Sequence, residues 1–135
     1  MKERRTKEWI LKAESDLKIG KHEILSDDPA TDAIAFHMQQ CVEKYLKAFL
    51  TFYGKPFRKT HDLTELITEC LELDPEFQKL FDMNVDRLTE YSIEIRYPEE
   101  FFFPSIEEAK KAIELAEKAK AFILKKLQER GFHIE

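Results

Sequence analysis

A stripe of polar side chains runs along a long, otherwise apolar segment near the middle of the sequence. Its members recur at intervals of three and four residues, which places them on one face of an α-helix within an arc of roughly 80°. Hydrogen-bond donors dominate the stripe and no carboxylate belongs to it, so its chemistry would be the binding of an anion such as phosphate. The stripe consists of His37, Gln40, Lys44, Lys47 and Thr51.

The alternative interpretation of this stripe is the solvated face of an amphipathic helix. Other polar faces in the chain mix Glu with Lys, whereas no Asp or Glu occurs between Lys44 and His61. Five Lys and Arg residues lie in that span, although the net charge of the whole chain is −5. This charge argues against nucleic-acid binding over the entire surface and favours one local basic patch.

Two further groups of residues extend the candidate site. Thr60, His61 and Asp62 open a predicted helix, where unpaired N–H groups attract anions; helix capping by Thr60 or Asp62 explains the same residues equally well. Arg96 suits bidentate contact with phosphate, and Tyr97 offers a flat face for stacking. An ion pair between Arg96 and a carboxylate of the bundle is the structural alternative.

Metal binding and the common catalytic motifs have little support in this sequence. His37 and Cys41 are four residues apart, but two ligands do not define a metal site. The sequence contains no Gly-rich phosphate loop, no nucleophile elbow and no outstanding pair of carboxylates at catalytic spacing. We therefore predict no metal site, no cofactor and no catalytic residue.

Five helices are expected to position these residues, because apolar side chains recur at helical spacing in five segments. With 3 Gly and 5 Pro, the chain has little of the turn material that strand-rich domains need. Short connections favour antiparallel neighbours, so we predict an all-α, up-and-down bundle of four to five helices that forms a single domain over residues 1–135. The predicted helices run from about Thr6 to Leu25, from Pro29 to about Tyr53, from near Asp62, from Asp74-Pro75 to Tyr91, and from the capping box Ser105–Glu108 to Gly131.

Several features predict the position of the second helix, the caps of the first two helices and the role of an aromatic loop. The second helix is apolar around most of its circumference, so it lies in the middle of the bundle or in an oligomer interface. Thr6 and Asp28 are the expected N-caps of the first two helices. The loop that holds Phe101, Phe102 and Phe103 is expected to plug the end of the core or to meet a partner.

The predicted compartment is the cytoplasm. Cys41 and Cys70 lie isolated in apolar helical patterns, which favours a reducing compartment over a disulfide framework. No apolar run approaches the length that spans a bilayer. The first residues are charged and do not form an apolar signal segment.

Three segments of this chain resemble the HEPN family (higher eukaryotes and prokaryotes nucleotide-binding). Residues 36–48 resemble the signature of its second helix, and residues 59–63 resemble the opening of the next one. Arg96-Tyr97-Pro98 is similar to a later Arg-Tyr-Pro turn of the family. The segments occur in the family's order, and the resemblance covers nearly the whole chain. The first helix fits as well, through Trp9, Ala13, Asp16 and Leu17.

The resemblance implies a helical bundle like the substrate-binding subunits of nucleotidyltransferases, usually a homodimer. It also implies a small nucleotidyltransferase as partner. Many family members are metal-independent RNases, frequently the toxins of toxin–antitoxin pairs, and they use an Arg-x4-6-His motif. Here Phe101, Phe102 and Phe103 occupy the positions where that His would follow Arg96. The RNase chemistry therefore lacks its proton-transfer group.

We therefore expect a non-catalytic HEPN protein that binds a nucleotide or an RNA phosphate, as accessory subunit of a small nucleotidyltransferase in a toxin–antitoxin-like pair. One alternative is a divergent metal-independent RNase that uses His61 and Arg96. Another is a purely structural dimeric module whose dimer face is the apolar width of the second helix. The expected ligand-binding residues are His37, Gln40, Lys44, Lys47, His61, Arg96 and Tyr97.

Overall fold

The computed structural model describes residues 2–92 and 103–133. Every regular element in these ranges is helical, which confirms the all-α class. Two 3₁₀ turns, Pro75–Phe77 and Val85–Tyr91, flank the short fourth helix. Among the described residues the α-helices are α1 (Lys2–Glu23), α2 (Thr31–Phe52), α3 (Leu63–Leu73), α4 (Gln78–Asp82) and α5 (Ile106–Glu129).

α1 and α2 form a closely packed antiparallel pair. The end of α1 lies against the start of α2, because Gly20 faces Met38, and the start of α1 reaches the residue Gly54 that follows α2. A Cβ atom on Gly20 would lie 2.5 Å from Cε of Met38. The absent side chain therefore allows this close approach of the two helices.

α2 lies in the middle of the bundle, between α1, α3 and α5. Its apolar side chains from Ile34 to Leu50, apart from the half-buried Phe36, are covered by these neighbours. Leu46, for example, is 0% exposed within a single chain. This confirms the first of the two interpretations of the apolar width of α2, and those side chains are not available as a dimer face.

Two predicted caps are confirmed and set the start of α3 and α5. The carboxylate of Asp62 accepts a hydrogen bond from the Thr64 N–H at 2.9 Å. Ser105 and Glu108 form both hydrogen bonds of the capping box, at 3.0 and 2.8 Å. Each cap satisfies N–H groups that the first helical turn leaves unpaired.

The expected caps of the first two helices are wrong. α1 already begins at Lys2, and the hydroxyl of Thr6 donates to the Lys2 carbonyl from inside the helix. α2 begins at Thr31, with Ala30 and not Asp28 as the residue that precedes it. The carboxylate of Glu23 accepts from the Ala30 N–H at 2.9 Å, so a side chain from the end of α1 supports this turn.

The predicted fourth helix does not run continuously to Tyr91. Asn84 adopts a left-handed conformation, with φ of 64°, which an α-helix cannot include. α4 therefore ends at Asp82, and the chain resumes as a 3₁₀ turn from Val85.

The aromatic loop lies largely outside the described residues, since only Phe103 of its three Phe residues is described. Phe103 is 55% exposed, so this residue does not plug the core, whereas the expected roles of Phe101 and Phe102 and the contact with a partner stay predictions. None of the described helices is long and apolar enough to cross a membrane.

Candidate functional site

A buried carboxylate organises one half of the candidate site. Glu43, on α2, is 3% exposed. Its Oε1 atom lies 2.8 Å from Nδ1 of His61, and its Oε2 atom lies 2.7 Å from Nζ of Lys47. Gln39 donates to Glu43 at 3.2 Å and to the His61 carbonyl at 2.8 Å. We call Gln39, Gln40, Glu43, Lys47 and His61 the Glu43 cluster.

A second carboxylate, from α1, organises the other half. Asp16 is 6% exposed. Its Oδ1 atom lies 2.7 Å from Nδ1 of His37, and its Oδ2 atom accepts from Nζ of Lys44 at 2.6 Å. We call these three residues the Asp16 cluster. Gln40, which donates to Glu43 at 3.4 Å, follows His37 on α2 by about one helical turn, so the two clusters are neighbours along this helix.

The polar stripe is thus not an acid-free surface, contrary to the expectation from its local sequence. Lys44 and Lys47 each pair with a carboxylate. Asp16 reaches the stripe from another helix, so no local pattern on α2 could have revealed it. Glu43 had a local signal, because a Glu four residues before a Lys forms ion pairs on a helix.

The remaining predicted residues are distributed unevenly. The structure brings together His37, Gln40, Lys44, Lys47 and His61, whereas Thr51 lies beyond both clusters, near the end of α2. Arg96 and Tyr97 lie outside the described residues. Their predicted part in the site stays a prediction.

One basic residue before α3, Arg58, forms an ion pair with Glu65 as well. Nη1 of Arg58 lies 3.4 Å from Oε1 of Glu65, but the Arg58 side chain is 82% exposed, so the pair is weak. Thr60 donates to Glu65 at 3.2 Å and accepts from the Asp62 N–H at 3.0 Å. The start of α3 is therefore capped and partly neutralised at the same time.

Each of the two histidines is held by its Nδ1 atom. A carboxylate can only accept, so the Nδ1 atoms of His37 and His61 must carry the hydrogen that is shared with Asp16 and Glu43. This pairing fixes the tautomer and the ring orientation of both histidines, and on His37 it leaves Nε2 as the nitrogen that can accept or deliver a proton. The arrangement suits general acid–base chemistry, and Nε2 donates to a phosphate oxygen only when the ring is an imidazolium.

Metal chemistry has no comparable arrangement in residues 2–92 and 103–133. No three His, Cys, Asp or Glu side chains in these ranges converge as metal ligands would. Asp16 and Glu43 each bind a lysine as well as a histidine, and the lysine ammonium repels a cation.

Comparison with known proteins agrees with the helical architecture. A family model described as "HEPN domain" matches residues 6–127, from the first turns of α1 nearly to the end of α5. The protein named "Putative toxin MJ1304" from Methanocaldococcus jannaschii is 33% identical over 99 residues, which cover 70% of this chain and 64% of that protein. The chain thus spans less than two thirds of that relative's length. No solved structure matches this chain. Because the family match extends over most of the sequence, the chain belongs to the HEPN family.

Proposed function

We propose that this chain is a toxin-like HEPN protein that binds the phosphate of a nucleotide or of RNA. The observation that carries this proposal is the pairing of Asp16 with both His37 and Lys44. One carboxylate thereby holds two side chains that can bind phosphate on one face of α2, namely the Lys44 ammonium and, in its protonated form, the His37 ring. Such preorganisation lowers the entropic cost of ordering these side chains when a ligand binds.

The pairing of Lys44 with Asp16 leaves room for a ligand. An ammonium group has three donors, and Asp16 accepts from one of them. The side chains of His37 and Lys44 are 28% and 22% exposed, whereas that of Lys47 is only 9% exposed. His37 and Lys44 are therefore the better candidates for direct contact, and Lys47 is a supporting residue.

We propose the remaining parts of this function on the family relationship. The toxin name of the relative from Methanocaldococcus jannaschii supports a toxin–antitoxin-like pair. The HEPN family supports a homodimer in the cytoplasm and a small nucleotidyltransferase as partner. In this arrangement the HEPN chain binds the nucleotide or RNA and presents it to the nucleotidyltransferase. The HEPN chain then needs neither a cofactor nor a catalytic residue of its own.

Calorimetry tests the proposed ligand. ATP, other nucleotides and short RNA are titrated into the chain alone and into its mixture with the nucleotidyltransferase encoded nearest to it. We expect binding that weakens in His37→Gln and Lys44→Gln. Lys18→Gln is the matched control, because Lys18 is an exposed cation on α1 outside both clusters. Absence of binding at millimolar ligand in both settings would disprove the proposal.

A second candidate function is favoured by the contact between Glu43 and His61. A histidine oriented by a buried carboxylate is the usual form of a general base. The chain would then be a divergent metal-independent RNase that uses His61 with Arg96. An RNA-cleavage assay with His61→Ala and Arg96→Ala tests this candidate. Cleavage that persists in both variants, or no cleavage by the native chain, removes it.

A further inference from the structure

A cleft of about 690 Å³ opens between the start of α1 and the residues that follow α2. Thr51, which lies outside both clusters, is part of its wall. The volume of the cleft falls in the range of small-molecule sites. Its lining includes Lys2, Arg5, Glu8, Trp9, Lys12 and Phe57.

Two aromatic rings form the apolar part of this cleft. The ring centroids of Trp9 and Phe57 are 6.2 Å apart, and the rings are inclined by 65°. Nζ of Lys47 lies 5.5 Å from the centroid of Trp9 and 5.8 Å from that of Phe57. This buried ammonium, held by Glu43, fixes the two rings from inside the bundle through cation–π attraction. The aromatic surface is therefore preorganised.

The cations around the cleft differ from those of the polar stripe in whether they form ion pairs. Lys55 pairs with Glu72, and Glu8 pairs with Arg4 outside the cleft. Lys2, Arg5 and Lys12 form no ion pair with any residue that the structure describes. Lys2 lies beside Gly54, where a Cβ atom would be 3.7 Å from its Nζ atom. Three cations of the cleft lining thus lack an ion-pair partner among the described residues.

We infer that this cleft binds a nucleotide unit, with the base against Trp9 and Phe57 and the phosphate against Lys2, Arg5 and Lys12. Aromatic faces stack any base, and nearby cations follow the phosphate backbone. Arg5 adds planar, bidentate recognition of phosphate. The inference shares its ligand class with the proposed function and rests on it in that respect, but it uses none of the residues of the Asp16 cluster.

Trp9 provides a direct reporter, because it is the single Trp of the chain. Stacking of a base on Trp9 is expected to quench its fluorescence. The probes are AMP, adenosine without phosphate, inorganic phosphate without a base, and single-stranded oligoadenylate. We expect AMP to bind more tightly than either part alone. Oligoadenylate that binds more tightly than AMP identifies single-stranded RNA as the source of the nucleotide, and equal affinities identify the free nucleotide.

Three pairs of substitutions, one of them a control, separate this cleft from the Asp16 cluster. Arg5→Gln with Lys12→Gln is expected to weaken AMP binding about tenfold or more, through the loss of charge-assisted hydrogen bonds. Lys18→Gln with Lys125→Gln removes the same charge from exposed positions outside the cleft and is expected to change the affinity little. His37→Gln with Lys44→Gln is expected to leave the quenching of Trp9 intact.

The outcomes distinguish the two proposals. Quenching that depends on Arg5 and Lys12 but not on His37 and Lys44 supports the cleft, even if the Asp16 cluster binds nothing. Binding that depends on His37 and Lys44 alone, without quenching of Trp9, disproves the cleft and leaves the proposed function standing. If the cleft pair and the exposed control pair lower the affinity for AMP equally, the effect depends on net charge alone and the inference is overturned.

Discussion

The buried carboxylate of Glu43 lies 2.8 Å from Nδ1 of His61, so one contact joins the middle of α2 to a residue two positions before the start of α3. The same carboxylate holds Lys47 at 2.7 Å. A carboxylate that is 3% exposed loses much of its hydration on folding, and its partners must compensate for that loss. The Glu43 cluster is therefore a structural link between helices as well as a part of the candidate site.

Glu43→Gln is expected to destabilise the fold by about 3 kcal/mol, because it leaves the Lys47 ammonium buried without its counter-charge. Lys47→Met combined with Glu43→Gln should cost less than the sum of the two single changes, since the double variant buries no unpaired charge. Urea unfolding of the four proteins measures this coupling. Additive losses would show that the pair does not act as a unit.

Asp16→Asn is expected to lower the free energy of unfolding by about 2 kcal/mol, because His37 and Lys44 then lose the charge that holds them. The partly exposed Lys44 can reach water, so the cost is smaller than at Glu43. Asp27→Asn, in the exposed turn after α1, is the control and should stay within about 0.5 kcal/mol of the native protein. An equal effect of both changes in urea unfolding would contradict the prediction.

Lys126→Met is expected to change how stability depends on pH. Burial raises the pKa of Asp74, but hydrogen bonds from Lys126 and the Glu76 N–H outweigh it and hold this pKa below its ordinary value of 3.8. The unfolded chain therefore binds this proton at a higher pH than the native chain. The stability that Asp74 contributes is present above pH 3.8 and is lost as the pH falls through the lower native pKa.

Unfolding at a series of pH values measures this effect. At neutral pH, Lys126→Met should be less stable than the native protein by about 3 kcal/mol, because it breaks a buried pair. The difference should narrow as the pH falls below 3.8, where Asp74 takes up its proton. Lys125→Met, the exposed neighbour, should show neither effect. A constant gap across the pH series would refute the assignment to Asp74.

The two cysteines are expected to resist thiol reagents in the native protein. Burial raises the pKa of Cys41, assisted by the negative charge of Asp16, and burial also raises the pKa of Cys70 well above its ordinary value. Since the thiolate is the reactive form, labelling should proceed only as fast as the fold opens. A colorimetric thiol assay in buffer and in urea checks this. Rapid labelling of both thiols in buffer would count against it.

Local sequence carried most of the information about the helices. The caps at Asp62 and Ser105 were predictable, because each hydrogen bond joins residues two or three positions apart. The pair of Glu43 with Lys47 was equally local, at one helical turn. The early end of α4 was less accessible, since Asn84 adopts its left-handed conformation without a flanking Gly or Pro to announce it.

Only the tertiary structure decided which carboxylates meet the polar stripe. Asp16 is 21 positions from His37 and 28 from Lys44, so their contact depends on how α1 packs against α2. The packing of Trp9 on Phe57, and the cleft beside them, arise from the same approach of the two helices. The sequence by itself therefore determined most of the helices, though not all of their ends, together with the buried face of α2 and the resemblance to the HEPN family. Side-chain packing between distant segments decided which charges are neutralised and which remain open to a ligand, because that packing depends on contacts which no local pattern contains.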